Sequence, residues 1–422
     1  MVLLRFVSCA FLALIATSPA LAQTPAAQNP PAEPPPEHVH DMEHMDMPMD
    51  DGASKGWTLM QDGNVWLLFN KQGGPRGGHE LKAPNWWMGM ASRPLGAGTL
   101  TLHGMLSLDP ATVGARGYRE LFQVGEAYDG KPITDRQHPH DLWMQLSATW
   151  RVPVNANTAV TVSGGPASEP ALGPEAFMHR ASAAALPLAP LTHHTFDSTH
   201  VAFGVATLGV QHGAVTVEAS AFNGREPDQH RWDFDFGRMD SVSARVTVRA
   251  STRWSAQVST GHLVAPEQLA HGNVERTTGS VSYLGGAPER VLAVTVGAGA
   301  NHTHDATRRA AFVEASKWWG PQVLSLRAEA LELESALVLT GEEPVSDADE
   351  ARKDLVGAFT LSGLRRVGAV GKLTVSAGAS ATLFAVPSLF QATHGKHPAS
   401  FQVMLQVKPT APAHSHMSHA MN

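Results

Sequence analysis

Apolar and polar side chains alternate residue by residue in many short segments of the second half of the chain. From Ser241 to Ala250 the even positions are apolar and the odd positions are polar or charged. The segments Ala214 to Phe222, Leu142 to Trp150 and Lys372 to Leu383 alternate in the same way. Because successive side chains of a β-strand point to opposite faces, the pattern predicts strands with one apolar and one polar face.

The links between these segments are short and long in turn, which indicates how the strands are arranged. Residues 211–213 and 251–253 form short links, whereas residues 109–141 and 164–200 form long ones. Bacterial outer-membrane barrels have an even number of strands, short periplasmic turns and long external loops. We therefore predict an all-β fold, a transmembrane antiparallel β-barrel of about 16 strands over residues 57–408.

The two ends of the chain have a different character. Residues 1–22 contain Arg5, an apolar core and the small-residue site Ala20-Leu21-Ala22, as in a signal peptide. The only cysteine, Cys9, lies in this segment, so the mature chain is expected to lack disulfides. Residues 23–56 and 409–422 carry no strand pattern and are predicted to be disordered tails. We expect the outer membrane of a Gram-negative bacterium, with both tails in the periplasm.

Composition limits the classes of function. The formal net charge is −7, which argues against a nucleic-acid partner because such proteins need a basic surface. About 43% of the residues are hydrophobic, yet no later apolar run is long enough to form a membrane-spanning helix. These properties are consistent with a barrel whose partner is outer-membrane lipid.

Both tails are rich in histidine and methionine. Thioether sulfur suits Cu(I) and imidazole suits Cu(II), zinc and nickel, so the mixture favours copper, with zinc and nickel left open. The alternative for the first tail is a solvated acidic segment. The candidate metal ligands are His38, His40, Met42, His44, Met45, Met47 and Met49 in the first tail and His414, His416, Met417 and His419 in the second.

A second group of histidines lies in the predicted long loops, which meet at one end of the barrel. A metal site is predicted there, with Asp141 or Asp197 orienting the imidazoles. The alternative is that these residues form hydrogen bonds between loops and fold the loops inward. The candidate ligands are His138, His140, His179, His193, His194 and His200.

The interior face and the loops carry further polar groups. The charges Glu218, Arg245, Arg249, Arg327 and Glu329 are predicted to line a polar pore or to form a salt-bridged plug. The aromatic residues Trp150, Trp254, Trp318 and Trp319 are predicted to form a girdle at the periplasmic strand ends. No hydrolase motif is present, and Ser198, His200 and Asp197 are too close in sequence for a catalytic triad. We expect no enzymatic activity.

Several segments resemble a known group of proteins. DRQHPHDL, FMHRASAAALP, LTHHTFDSTHVAFGVATLG and SAFNGREPD are similar to segments of an uncharacterised group of proteobacterial outer-membrane barrels often found with metal-efflux systems. The His/Met-rich leader resembles that of copper-resistance protein B, an outer-membrane barrel that this resemblance implies binds copper.

Three hypotheses for function follow. The first is an outer-membrane barrel that binds copper, or a related transition metal, through periplasmic tails and serves metal tolerance or transport. Its partners would be metal ions and periplasmic metal-handling proteins. The second is a porin-like channel for small solutes without a specific metal role. The third is a barrel enzyme that acts at the membrane surface.

Overall fold

The computed structural model describes residues 56–410, apart from residues 270–271, 288–289 and 343–345. Antiparallel strands dominate it. In chain order they are β1 (Thr58–Gln72), β2 (Gly78–Lys82), β3 (Asn85–Leu95), β4 (Gly98–Leu106), β5 (Tyr118–Arg119), β6 (Glu126–Tyr128), β7 (Lys131–Ile133), β8 (Arg136–Gln137), β9 (Trp143–Asn155), β10 (Thr158–Ser168), β11 (Ala202–His212), β12 (Val215–Asn223), β13 (Ser241–Arg249), β14 (Trp254–Leu263), β15 (Val274–Gly285), β16 (Leu292–His302), β17 (Thr307–Trp319), β18 (Gln322–Glu334), β19 (Lys353–Val370), β20 (Leu373–Ala385) and β21 (Ala399–Pro409).

The main sheet closes on itself. Its first strand, β1, pairs with its last, β21, from Val65 opposite Val407 to Lys71 opposite Phe401. The sheet contains 17 strands, but β2 and β3 pair with successive parts of β1 and share one position in the wall, which leaves 16 positions. The predicted antiparallel barrel of about 16 strands is confirmed.

The connecting segments contain short helices. Those of α type span Asp109–Thr112, His193–Phe196, Ser335–Thr340, Asp347–Glu350 and Gln391–His394, and those of 3₁₀ type span Ala181–Ala183, Ser198–His200 and Ser388–Phe390. Among the described residues, no helix has the length and apolarity needed to cross a membrane.

The alternation along each strand separates the two surfaces of the wall. On β13, Val242 and Val246 are 53% and 42% exposed, while Ser243 and Arg245 are each 7% exposed and face the interior. The apolar set therefore faces outward and the polar set faces the lumen, as the sequence predicts.

Three of the four predicted girdle tryptophans, Trp150, Trp254 and Trp319, are exposed on the outer surface. The fourth prediction is wrong, because the side chain of Trp318 packs against an interior cluster.

The interior is filled by connections that fold inward. The link between β10 and β11, predicted as an external loop over residues 164–200, begins later because β10 continues to Ser168. We call residues 169–201 the plug. They pack inside the barrel, where Leu191 and Phe196 join Phe312 of the wall in one hydrophobic cluster. The connection between β4 and β9 also folds inward and forms the two small hairpins β5–β8 and β6–β7.

Candidate functional site

The plug is attached to the lumen wall by serine side chains on five strands. Its backbone N–H groups at Ala171, Gly173, Ala184 and Ala185 donate to wall hydroxyls, and its carbonyl at Ala185 accepts from another. The corresponding wall residues are Ser220, Ser259, Ser316, Ser325 and Ser362. These inward hydroxyls satisfy backbone groups that water would otherwise have to satisfy. The plug is thereby held across the lumen from β12 to β19.

A buried charge network fixes the middle of the plug. Arg180 binds Glu314 of β17 through two hydrogen bonds of 2.8 and 3.0 Å, and binds Asp197 at 2.8 Å. Arg327 of β18 binds the same Glu314 at 2.8 Å. Burial by itself lowers the pKa of the Arg180 guanidinium, but Glu314 and Asp197 outweigh this effect and raise that pKa. Arg180 therefore stays charged, and Glu314 forms salt bridges with both Arg180 and Arg327.

Three of the other predicted lumen charges, Glu218, Arg245 and Glu329, also have hydrogen-bond partners. Arg245 donates to Glu218 at 3.1 Å on the neighbouring strand. Glu329 accepts from the backbone N–H and the hydroxyl of Thr192 in the plug, each at 3.0 Å. The sequence reasoning missed Glu314, although it lies at an inward position of β17 between the buried residues Phe312 and Ser316. Of the two alternatives, the salt-bridged plug is the one observed.

The structure brings five of the six predicted loop histidines together, three from the plug and two from the connection between β4 and β9. The ring centre of His193 lies 5.3 Å from the ring centre of His200, 5.4 Å from that of His194 and 6.0 Å from that of His138. His140 lies 5.5 Å from His200. The sixth, His179, packs edge-on against Trp86 at 4.9 Å. We call the first five residues the histidine cluster.

Four members of the cluster use Nδ1 in a hydrogen bond to an oxygen. Nδ1 of His193 lies 2.8 Å from the Asp197 carboxylate, and Nδ1 of His200 lies 2.7 Å from the Asp197 carbonyl. Nδ1 of His140 lies 2.9 Å from Asp109, and Nδ1 of His194 lies 3.1 Å from Glu226. Because these oxygens accept, the proton is on Nδ1 and Nε2 carries the lone pair, an orientation typical of imidazole ligands.

The carboxylates that orient the imidazoles are only partly those predicted. Asp197 has the expected role, whereas Asp141 accepts from Arg231 at 3.1 Å. The sequence reasoning missed Asp109, which lies in the same connection as His140, and Glu226, which lies in the connection between β12 and β13. Burial works to raise the pKa of Asp197, but the positive charge of Arg180 prevails and holds that pKa well below its usual range.

Burial lowers the pKa of three histidines of the cluster and of His179, which favours their neutral form. It lowers the pKa of His200 and His193, and it lowers that of His138 with help from the nearby Arg231. It lowers the pKa of His179 to about 4. Neutral imidazoles can bind metals, but within the part of the chain that the structure describes no three His, Cys, Asp or Glu residues form a group that could hold a metal ion. A metal at the histidine cluster therefore stays a prediction, and the tail ligands lie outside the described residues.

The geometry around Ser198 is not that of a catalytic triad. The Ser198 hydroxyl accepts a hydrogen bond from Arg276 at 3.0 Å. His200 contacts the backbone carbonyl of Asp197, and the Asp197 carboxylate is bound to Arg180 and His193. These three residues serve to hold the plug.

Two of the cavities beside the plug, among the described residues, differ in their lining. One, of about 70 Å³, has a wall that includes Met88, Met105, Met144, His103, His179 and His200, and we call it the methionine cavity. The other, of about 150 Å³, lies at the end of the barrel with the short links and is lined by Arg180, Arg245, Arg249 and Arg253 among serines and threonines. The sequence reasoning missed the methionines, although Met88 and Met90 occupy inward positions of β3.

The closed antiparallel barrel with 16 strand positions is the fold of the outer-membrane porins. Two solved structures share it: OprB of Pseudomonas putida at high pH, and an anion-selective porin from Comamonas acidovorans. The first is 9% identical, with a TM-score of 0.52 over 84% of this chain and 94% of the other. The second is 10% identical, with a TM-score of 0.50 over 83% of this chain and 99% of the other.

At this identity the similarity establishes the fold alone. No protein-family model matches the chain, and no curated protein matches its sequence. The predicted resemblance to a copper-resistance family therefore receives no support, and the leader on which it was based lies outside the described residues.

Proposed function

We propose that this protein is a porin-like channel of the outer membrane that admits small hydrophilic solutes and ions through a lumen narrowed by the plug. The observation that supports this function is the closed barrel with an apolar outer surface and a polar interior. The cavities beside the plug supply water-sized space next to polar side chains.

The plug restricts the size of the solutes. It is anchored to strands from β12 to β19, and the cavities beside it are small. The channel is therefore expected to pass ions and small molecules and to reject larger ones. The proposal assigns no catalytic step to the barrel.

Planar-bilayer recording tests this function. The purified full-length protein should give discrete current steps whose size is small compared with those of an unobstructed 16-stranded porin measured in the same salt. A protein that inserts into the bilayer, as judged by protease protection, and yet carries no current at any voltage would contradict the proposal.

Handling of copper or a related transition metal is a second candidate function. The observation in its favour is the histidine cluster, in which four imidazoles are oriented by hydrogen bonds at Nδ1. The tail ligands would add a capture step on the periplasmic side.

Metal analysis and growth on copper test the second candidate. Removing residues 37–51 and 414–422 should lower the copper content of the purified protein and the copper tolerance of the cells. The combined replacement of His138, His140 and His194 by Gln should lower copper content further. If neither change affects either quantity, a metal role for the tails and for these histidines is excluded and the channel remains.

A further inference from the structure

The lumen wall contains a group of methionines where polar residues would be expected. Met88 of β3 lies directly opposite Met105 of β4, and Met90 lies opposite Met60 of β1. Met144 of β9 completes the group on the next strand. Met88, Met90, Met105 and Met144 are each at most 4% exposed.

Packing alone does not require methionine at all of these positions. With Met178 of the plug, the group contains six of the chain's 15 methionines. Leucine, valine or phenylalanine would fill the same volume with better-defined side-chain conformations. Thioether sulfur differs from those residues in being a soft ligand for Cu(I) and Ag(I).

A histidine lines the same cavity and has a nitrogen without a partner. His200 is 9% exposed, and its Nδ1 atom is used by the Asp197 carbonyl. Its Nε2 atom is buried and has no hydrogen-bond partner among the described residues. A buried polar atom without a partner is costly, and a bound cation would satisfy it. Glu169 and Glu175 also line the cavity and add negative charge that favours a cation.

We propose that the methionine cavity binds one soft monovalent metal ion, Cu(I) or Ag(I), through the thioethers of Met88, Met105 and Met144 and through Nε2 of His200. All four side chains line one cavity of about 70 Å³. None of the ligands has to lose a proton for this, since a thioether carries none and the Nδ1–H of His200 is retained. The site is separate from the histidine cluster's carboxylate contacts and does not depend on whether the channel conducts.

Silver titration of the purified full-length protein in detergent tests the site. With methionine methyl groups labelled with ¹³C, the signals of Met88, Met105 and Met144 should shift together at the first equivalents of Ag(I). Tail methionines give separate signals, so binding by the tails is resolved from binding in the lumen. Lumen signals that stay unchanged while the tail signals titrate would overturn the proposal.

The matched variants replace sulfur and keep the volume. The triple variant Met88→Leu, Met105→Leu, Met144→Leu should bind one silver ion fewer per chain than the wild type. Met404→Leu removes an equally buried inward methionine that packs with Trp66 and Leu68 elsewhere in the lumen, and it should bind as much silver as the wild type. Equal loss in both variants, or loss in neither, contradicts the site.

Two further measurements keep the test decisive. If the triple variant does not fold, Met144→Leu alone should abolish the joint shift of the remaining two lumen signals, and an undiminished shift would contradict the site. Recording current from the metal-free wild type tests the channel independently, so either proposal can fail without the other.

Discussion

At the scale of single residues, Arg180 is the strongest link between the plug and the wall. Its guanidinium is bound to two carboxylates, one in the plug and one on β17, and it also lies 4.9 Å from the centre of the Phe312 ring. The Arg180 and Glu314 side chains are 3% and 0% exposed. Since both charges are buried, each depends on the other for the hydrogen bonds that water would supply.

We expect Arg180→Met to destabilise the folded protein by about 3 to 5 kcal/mol, since it leaves Asp197 and Glu314 with fewer partners in a buried site. The loss is measured as a lower midpoint temperature of unfolding in detergent. Unfolding is detected by the change in gel mobility on heating. The control Arg225→Met removes an exposed pair with Asp240, whose side chains are 37% and 30% exposed, and should cost less than about 1 kcal/mol. Similar midpoints for both variants would mean that the buried network contributes little.

The residues of the site differ in how far the sequence predicts them. The histidines of residues 138–140 and 193–200 could be predicted because they are clustered in loops that meet at one end of a barrel. Glu314 could not be matched to Arg180 from the sequence, because 134 residues separate them and no pattern indicates which loop enters the lumen. The methionines of β3 and β4 were missed because methionine is ordinarily read as a hydrophobic filler.

At the scale of elements, wall serines bind the plug backbone around residues 181–186. Ser316, Ser325 and Ser362 are each at most 1% exposed and bind the plug backbone at Ala184 and Ala185. Each replacement by alanine leaves a buried backbone group unsatisfied, which costs about 1 to 3 kcal/mol. The segment should then leave the wall more often.

We expect the triple variant Ser316→Ala, Ser325→Ala, Ser362→Ala to carry larger single-channel currents than the wild type, because the plug obstructs the lumen less. Planar-bilayer recording measures this. Ser243→Ala is the matched control, since Ser243 is an inward serine whose hydroxyl has no hydrogen-bond partner among the described residues. Currents that are the same in both variants would assign the anchoring to the Arg180 network alone.

The strands were predictable and the path of the loops was not. Alternation fixes which face of a strand is apolar, so β11 to β18 follow directly from the sequence. β10 was predicted to end at Ser163 but continues to Ser168 past Gly164 and Gly165, where the register with β9 shifts. A side chain at Gly165 would meet the Leu146 carbonyl oxygen at 2.1 Å, so this irregular step requires glycine. Alternation says nothing about whether a long connection turns outward or inward.

At the scale of the whole molecule, the barrel has an apolar outer surface that is suited to lipid. Leu208 of β11, Val246 of β13 and Val258 of β14 are 55%, 42% and 63% exposed. A monomeric soluble protein does not expose so extended an apolar surface. In the proposed location these side chains contact acyl chains.

We expect Val246→Arg to lower the stability of the membrane-inserted barrel by about 2 to 4 kcal/mol, since a charge at the middle of the lipid-facing surface is costly. Unfolding by denaturant in lipid vesicles measures this change, with Val246→Leu as the control that keeps the site apolar. In detergent-free buffer the Val246→Arg variant should aggregate less than the Val246→Leu variant, because it exposes a smaller apolar surface. Equal stability of both variants in lipid would argue against contact between this surface and the bilayer.

The position of the plug in the chain has a consequence for biogenesis. Its two ends continue directly into β10 and β11, so it is a closed loop of polypeptide and not a tail that could enter a finished cylinder from outside. The seam between β1 and β21 joins the extremities of the sheet, and the hydrogen bond there between Ser400 and Gln72 spans 328 positions of sequence. Because contacts so distant in sequence form slowly, we expect the sheet to curve around the plug before this seam closes. The pairing of β1 with β21 is therefore the step that we expect to enclose the plug in the barrel.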